Sequence, residues 1–473
     1  MSYRNSSPTL PLRFSLVLRS FLQHAGLPFS DALSEDEIQK VFDTQDVGFA
    51  MQEDEVYCPA VTLWAFLSQV LFKDEQRSCA AAVARVVVMF VALGKDSPSS
   101  NTGAYCRARA KLPESVLQEL VEDVARRCEQ QVPTAWLWKG RHVHLVDGTT
   151  FSMPDTEANQ AEFPQPNTQQ AGLGFPIARL VVLVSLATAL TTGYAMGPYS
   201  GKESGETALL RQLFEQFSVG DILLGDRYYC GWFTLVLLLQ RGVDVVTRQH
   251  QLRTTDFRRG RRLGKSDHLV VWPKPARPDW MDKETYDSLP DSLTVRELEV
   301  CVEQPGFRVD SFVVVTTLTQ ATRYSNADIA KLYHKRWLAE LDIRAIKISL
   351  GMDVLRCKSP EMIRREVAAC LLAYNLIRQT MLQSAYQAGV SPRHQSFTAA
   401  LQKIAAGFVV LAVLETCATT VGDTHREQLP SHRVGHRPDR IEPRCLKRRP
   451  KSQKLLTIPR DQARADLLAT RSP

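Results

Sequence analysis

The sequence predicts an α/β protein: a mixed sheet with helices on both faces, an all-β insertion and a helical N-terminal domain. Three observations predict it. Residues 1–135 carry helical periodicity almost throughout. From His142 the texture changes to three strands in succession, then strands alternating with helices, an order that suits a mixed sheet covered by helices. Across 249–320 the pattern turns purely β.

In chain order, SEDEIQKVF opens on the cap-like Ser34 and acidic first-turn residues. Helical runs continue through VTLWAFLSQVLF, SCAAAVARVVVMFVAL and PESVLQELVEDVARRCEQQ. Before the last of these, Arg107, Arg109 and Lys111 form a small basic patch beside Tyr105, which suits either a solvated face or a grip on phosphates. The first part of the sheet domain, 136–248, then begins. HVHLVDGTTFSM alternates apolar and polar residues as a strand does, and a polar, Pro-rich loop follows. FPIARLVVLVSLATALTTGYAMGPY reads as two β segments, Glu203–Phe217 as a helix and GDILLGDRYY as a short buried strand ending at a turn. WFTLVLLLQRG is a helix stopped by glycine, and VDVVTRQH is another strand. In the insertion, 249–320, the strands HLVVWP, SLTVRELEVCV and FRVDSFVVVTTL are separated by Pro/Asp-rich turns. Helices return in the second part of the domain, 321–388, and in a C-terminal region with a basic tail, 389–473.

The bulk numbers narrow the class. With 44% hydrophobic and 23% charged residues in 473, the chain has the material for several cores. The net charge of +7 is uneven: from Thr424 onward there are thirteen Lys/Arg against five Asp/Glu, on a body that is nearly neutral. Such a tail suits a polyanion, most simply nucleic acid, or a solubilising extension. The ten cysteines form no CxxC pair, which argues against a structural zinc site and for small buried side chains in a reducing cytoplasm. Neither a signal peptide nor a membrane span is expected, since Arg85 and Arg179 interrupt the two most apolar runs.

Chemistry concentrates in YHKRWLAELDIRAIK, Tyr333 to Lys347. Read as one helix, Leu338, Leu341, Ala345 and Ile348 form a core stripe. At about 100° per residue from Tyr333, Arg336 falls near about 300°, Lys347 near about 320° and Glu340 near about 340°. Trp337 and Arg344 lie close to this ridge, and Asp342, about 180° away, is expected to be solvated. Alone, Arg336 and Glu340 would make an ordinary i,i+4 surface pair. Asp147 and Asp226 add to it, one within a strand and one ending a strand. A carboxylate in an otherwise buried strand is costly unless it is paired or binds a metal. Two strand aspartates and a helical glutamate can hold two Mg²⁺ (or Mn²⁺) ions through oxygen ligands. Asp155 is the rival first carboxylate, better suited to a turn. His142 and His144 are weaker ligand candidates, because hard Mg²⁺ prefers oxygen.

Tyr333-x2-Arg336-x3-Glu340-x6-Lys347 resembles the Tyr-Arg-Glu-Lys signature of DDE transposases of the insertion-sequence-four family. VDGTTFSMPD and LLGDRYY look like the family's two aspartate blocks, and RIEPRCLKRRPKSQKLL is similar to the tails of some members. The resemblance spans about 140–385 and includes the β-rich insertion. It implies a ribonuclease-H-like fold with Asp147, Asp226 and Glu340 as the metal-binding catalytic triad. It also implies cleavage at element ends by water, then attack of the 3′-hydroxyl on target DNA, in the cut-and-paste manner. Tyr333 and Arg336 would hold a phosphate beside a flipped base, and Lys347 the DNA backbone. Trp337 is the first stacking candidate, ahead of Trp272 and Trp280. Arg344, Arg107, Arg109 and Lys111 become candidate phosphate contacts. The implied partners are double-stranded DNA, as terminal inverted repeats and as target, and a second copy of the chain in a homodimeric synaptic complex. The implied setting is the nucleoid of the cytoplasm, with no membrane.

Overall fold

A computed structural model describes residues 35–49, 56–92, 95–301, 311–413, 423–424, 426–433 and 457–469. The basic run 440–456 lies outside them.

Five helices come first: α1 Glu35–Thr44, α2 Pro59–Leu71, α3 Cys79–Ala92, α4 Thr102–Lys111 and α5 Glu114–Gln130. Then follow β1 Val143–Ser152, α6 Glu157–Glu162, β2 Ile177–Ser185, β3 Thr191–Pro198, α7 Glu206–Arg211, β4 Ile222–Gly225, α8 Trp232–Gln240 and β5 Asp244–Arg248. The inserted segment carries β6 Arg261–Gly264, β7 Asp267–Pro273, α9 Lys283–Ser288, β8 Ser292–Cys301 and β9 Ser311–Thr316. The chain continues with α10 Asn326–His334, α11 Trp337–Arg344, α12 Pro360–Ala388, α13 Phe397–Val413 and α14 Arg460–Ala469.

The strands form one nine-stranded mixed sheet in the order β3-β2-β1-β4-β5-β9-β8-β7-β6. β1 runs antiparallel to β2 and parallel to β4, and β4 is parallel to β5. The inserted strands continue this sheet, β9 pairing antiparallel with both β5 and β8. The segment expected to be purely β therefore extends the sheet and carries the short helix α9, which Asp282 caps by accepting from the Thr285 amide.

Both faces of the first strands are covered. Leu145, Leu180 and Val182 face a core shared with α2, α5 and α12, while Val146, Val181 and Leu183 face α7 and α8. A strand buried on both sides has little room for polar alternation, which is why IARLVVLVS reads as a nearly continuous apolar run. The N-terminal helices and the sheet meet on α12, where the Asn375 side chain accepts from the Thr191 amide and donates to the carbonyls of Thr191 and Val121. The eight cysteines among the described residues are all free. No helix among those residues is long and apolar enough to cross a membrane.

One expected helix is broken. Tyr333–Lys347 divides at Lys335–Arg336 into α10 and α11 and continues in a π turn at Ala345–Ser349. The two phase changes replace the expected core stripe. Ala345 is buried and Leu338 half-buried as expected, but Leu341 and Ile348 are exposed, and Tyr333, Ala339, Asp342 and Ile346 are buried as well. Asp342, expected in solvent, is 1% exposed and pairs with Arg378 (2.8 Å) and Arg393 (2.9 Å). It is tolerated there because two guanidiniums compensate its charge.

Candidate active site

Sheet register assembles the site. The parallel pair matches Leu145 with Leu224, so Asp147 and Asp226 each follow a matched pair by two residues on adjacent strands. Asp147 lies within β1; Asp226 follows β4, where the chain turns out of the sheet. Backbone amides fix both carboxylates: Gly148 N–H donates to Asp147 Oδ1 (2.9 Å) and Tyr228 N–H to Asp226 Oδ1 (2.8 Å). Gly225 has no room for a side chain, since a Cβ there would lie 2.9 Å from Val146 Cγ1 and 3.0 Å from Tyr229 Cδ2.

The broken helix packs against β1 and carries the rest. Arg336, at the break, donates from Nη2 to Glu340 Oε1 (2.6 Å), while its Nη1 lies 3.9 Å from Asp147 Oδ2. One guanidinium thus links the helical glutamate to the strand aspartate. Tyr333 is buried, with its ring 5.1 Å from that of Phe312, and burial holds its hydroxyl well above the usual phenol range. Lys347, in the π turn, donates to the Thr150 carbonyl near the end of β1 (2.6 Å), and burial lowers its pKa.

Electrostatics mark the same place. Burial lifts the Asp147 carboxyl to about 6, the charges of Asp226 and Glu206 adding to the rise, against the pull of Arg336 and the Gly148 amide. Asp226 is also raised by burial, opposed by the Tyr228 amide and Arg336. Perturbed carboxyls facing a shared cation are a frequent mark of function.

Not every candidate converges here. Trp337 (54% exposed) and Arg344 face solvent on α11. On α4, Arg107 and Lys111 are exposed, but Arg109 turns inward, donating to Gln69 Oε1 (2.9 Å) and lying over the rings of Phe66 and Tyr105. His142 engages Glu129 (2.9 Å) and His144 engages Asp221 (3.1 Å). Asp155 accepts from Gln160 (2.7 Å) in the loop. Trp272 is buried and donates to Glu297 (3.0 Å), and Trp280 stacks under Arg211 (3.8 Å).

Three features escaped the sequence. Glu206, in the first turn of α7, accepts from the Tyr229 hydroxyl (3.1 Å) beside both aspartates; in sequence it is an ordinary helix-start acid. Arg248, ending β5, acts on Asp226 and Tyr333 and lies 5.2 Å from the Phe312 ring. A charged residue ending a buried strand was a readable signal, the same one that singles out Asp226. The run FRRGRRLGK places Arg258, Arg259, Arg261, Arg262 and Lys265, all exposed, around the β6–β7 hairpin.

The sequence matches known proteins. A family model described as "Transposase DDE domain" matches residues 138–376, just over half the chain. The chain is 27% identical over 317 residues to "Transposase InsG for insertion sequence element IS4" of Escherichia coli (strain K12), covering 65% of this chain and 67% of that protein. Among solved structures, it is similar to that described as "Cryo-EM structure of piggyBac transposase synaptic complex with hairpin DNA (SNHP)", over 90% of this chain and 87% of the other. That likeness, at 9% identity and a TM-score of 0.42, is too loose to carry the fold. The family match and the order of the motifs around Asp147, Asp226 and Glu340 lead to one assignment: the chain belongs to the DDE transposases, and its signature resembles that of the insertion-sequence-four family.

Proposed function

We propose that this DDE transposase performs cut-and-paste transposition, cleaving the ends of its element with water and joining the freed 3′-hydroxyls to target DNA. Asp147, Asp226 and Glu340 are its catalytic carboxylates. The observation that carries this reading is Arg336, whose guanidinium joins Glu340 to Asp147 beside the matched Asp226. A ribonuclease-H-like fold is supported by the order β3-β2-β1-β4-β5, with β2 antiparallel and β4 parallel to β1.

The family generally uses divalent metal ions. Among the described residues no three carboxylates, histidines or cysteines stand close enough to hold an ion as placed. The donor set nevertheless fits Mg²⁺, because all three groups offer hard oxygens and the mutual repulsion of Asp147 and Asp226 is what a dication offsets. Asp147 and Asp226 would hold the ions, with Glu340 once it parts from Arg336. Held there, such ions would supply Lewis-acid polarisation of a phosphoryl oxygen and a more acidic water for attack.

The remaining residues hold the strand. Arg336 exchanges the Glu340 carboxylate for a DNA phosphate, a planar fork for which both anions compete. Tyr333 stands behind it with its hydroxyl protonated, and Lys347 and Arg344 reach the backbone beyond. Trp337 is exposed enough to stack on a displaced base. The hairpin arginines add a second phosphate-binding strip, while Arg107 and Lys111 remain accessible for element ends. Two ends require two active sites, so the working unit is a homodimer.

The test is Mg²⁺-dependent cleavage of labelled element ends followed by strand transfer. Asp147→Asn and Glu340→Gln should each abolish both steps while retaining DNA binding. Wild-type rates in either variant would sink the assignment.

A further inference from the structure

Beside the proposed carboxylates lies one acid that neither the signature nor the aspartate blocks contain. Glu206 approaches from α7, on the sheet face opposite α12. Its carboxylate rests on the backbone immediately after Asp147: a Cβ built on Gly148 would lie 2.6 Å from Glu206 Oε1 and 2.8 Å from Cγ. Gly148 is required by that contact, not by its backbone angles, since it is not among the residues with positive φ. From the other strand, Tyr229, fully buried and three residues after Asp226, donates its hydroxyl to Glu206 Oε2 (3.1 Å). One side chain therefore touches the segment bearing each aspartate.

We propose that Glu206 is a positioning residue of the transposase site, seating the Asp147–Gly148 backbone against the Asp226 turn and adding a further negative charge beside the two aspartates that favours divalent cations there. The inference rests on the proposed role of Asp147 and Asp226. Two aspartates on adjacent strands can shift relative to one another along the sheet. A carboxylate wedged on one strand and hydrogen-bonded from the turn after the other limits that shift. Residues that orient metal ligands commonly contribute ten- to a hundredfold to metal affinity.

Glu206→Gln keeps the shape over Gly148 and leaves an oxygen to accept from Tyr229, so it removes charge with little change in packing. The measurement is Mn²⁺ binding to the full-length protein without DNA, followed by electron paramagnetic resonance of the free ion. The Mg²⁺ dependence of end cleavage is measured in parallel. Glu206→Gln should weaken Mn²⁺ binding by about tenfold or more and raise the half-saturating Mg²⁺ concentration for cleavage in step. Tyr229→Phe, which removes the hydroxyl that orients Glu206, should shift both in the same direction by less. If Glu206→Gln folds as the wild type and binds Mn²⁺ unchanged, the proposal is overturned. If it does not fold, a wild-type Mn²⁺ affinity in Tyr229→Phe overturns it. Asp147→Asn separates the two readings. A variant that still cleaves at the wild-type rate removes the site itself, whereas a silent Glu206→Gln beside an inactive Asp147→Asn removes only this role.

Discussion

Asp147 carries a proton balance that can be measured without DNA. Its carboxyl is raised from 3.8 to about 6 by burial, so the folded chain holds this proton more tightly than the unfolded one. The contribution to stability is therefore present at low pH and lost as pH rises from about 4 through about 6, a loss on the order of 3 kcal/mol. Asp147→Asn should raise the melting temperature of the metal-free protein at pH 8 and change it little near pH 4. Equal melting curves at pH 8 would mean that Arg336 already compensates the charge. Because proton and cation compete for the same oxygens, cleavage should also fall as pH drops below about 6. Asp342 is the opposite case. It is buried between Arg378 and Arg393, and its removal leaves two guanidiniums without their carboxylate. Asp342→Ala should cost about 3–5 kcal/mol in urea unfolding. Its place two residues after Glu340 was legible; its burial was not. Helical arithmetic gives a side chain's direction but not which neighbour occupies it.

At the scale of elements, the strands were the most legible and the signature helix the least. The alternation of β1 and the apolar runs of β2 and β4 marked strands, and carboxylates within or ending them stood out at once. The signature was readable by spacing, but its single-helix geometry was not. The break at Lys335–Arg336 and the π turn at Ala345–Ser349 each alter the screw, and a constant 100° step cannot register either. The π turn is what brings Lys347 onto the Thr150 carbonyl. Lys347→Ala should lower the salt slope of DNA binding by about 0.9, the value of one phosphate contact. The β6–β7 hairpin gives a larger effect. Replacing Arg258, Arg259, Arg261 and Arg262 with alanine should flatten the slope by up to about 3.6, with end cleavage at low salt retained. An unchanged slope would remove the hairpin from the DNA path.

Over the whole molecule, α12 is the common support. It takes the N-terminal helices on one side and the sheet on the other, and its Arg378 holds the glutamate-bearing helix through Asp342. Sequence showed helical texture there without showing what it joins, because its polar residues find their partners up to 289 residues away. Mg²⁺ binding to the carboxylates should therefore register globally. At pH 8 the melting temperature should rise with Mg²⁺ concentration in the wild type and stay flat in Asp147→Asn.

Among the described residues the sheet ends at β6, a four-residue strand with no partner strand on its outer side. An open edge invites a strand from another molecule, and bulky cations on a short edge discourage it. Arg261 and Arg262 occupy that edge. The arginines proposed to hold DNA would then also keep separate copies of the protein from joining sheet to sheet. Replacing both with valine should lower solubility as well as weaken DNA binding, and light scattering without DNA would distinguish the two losses.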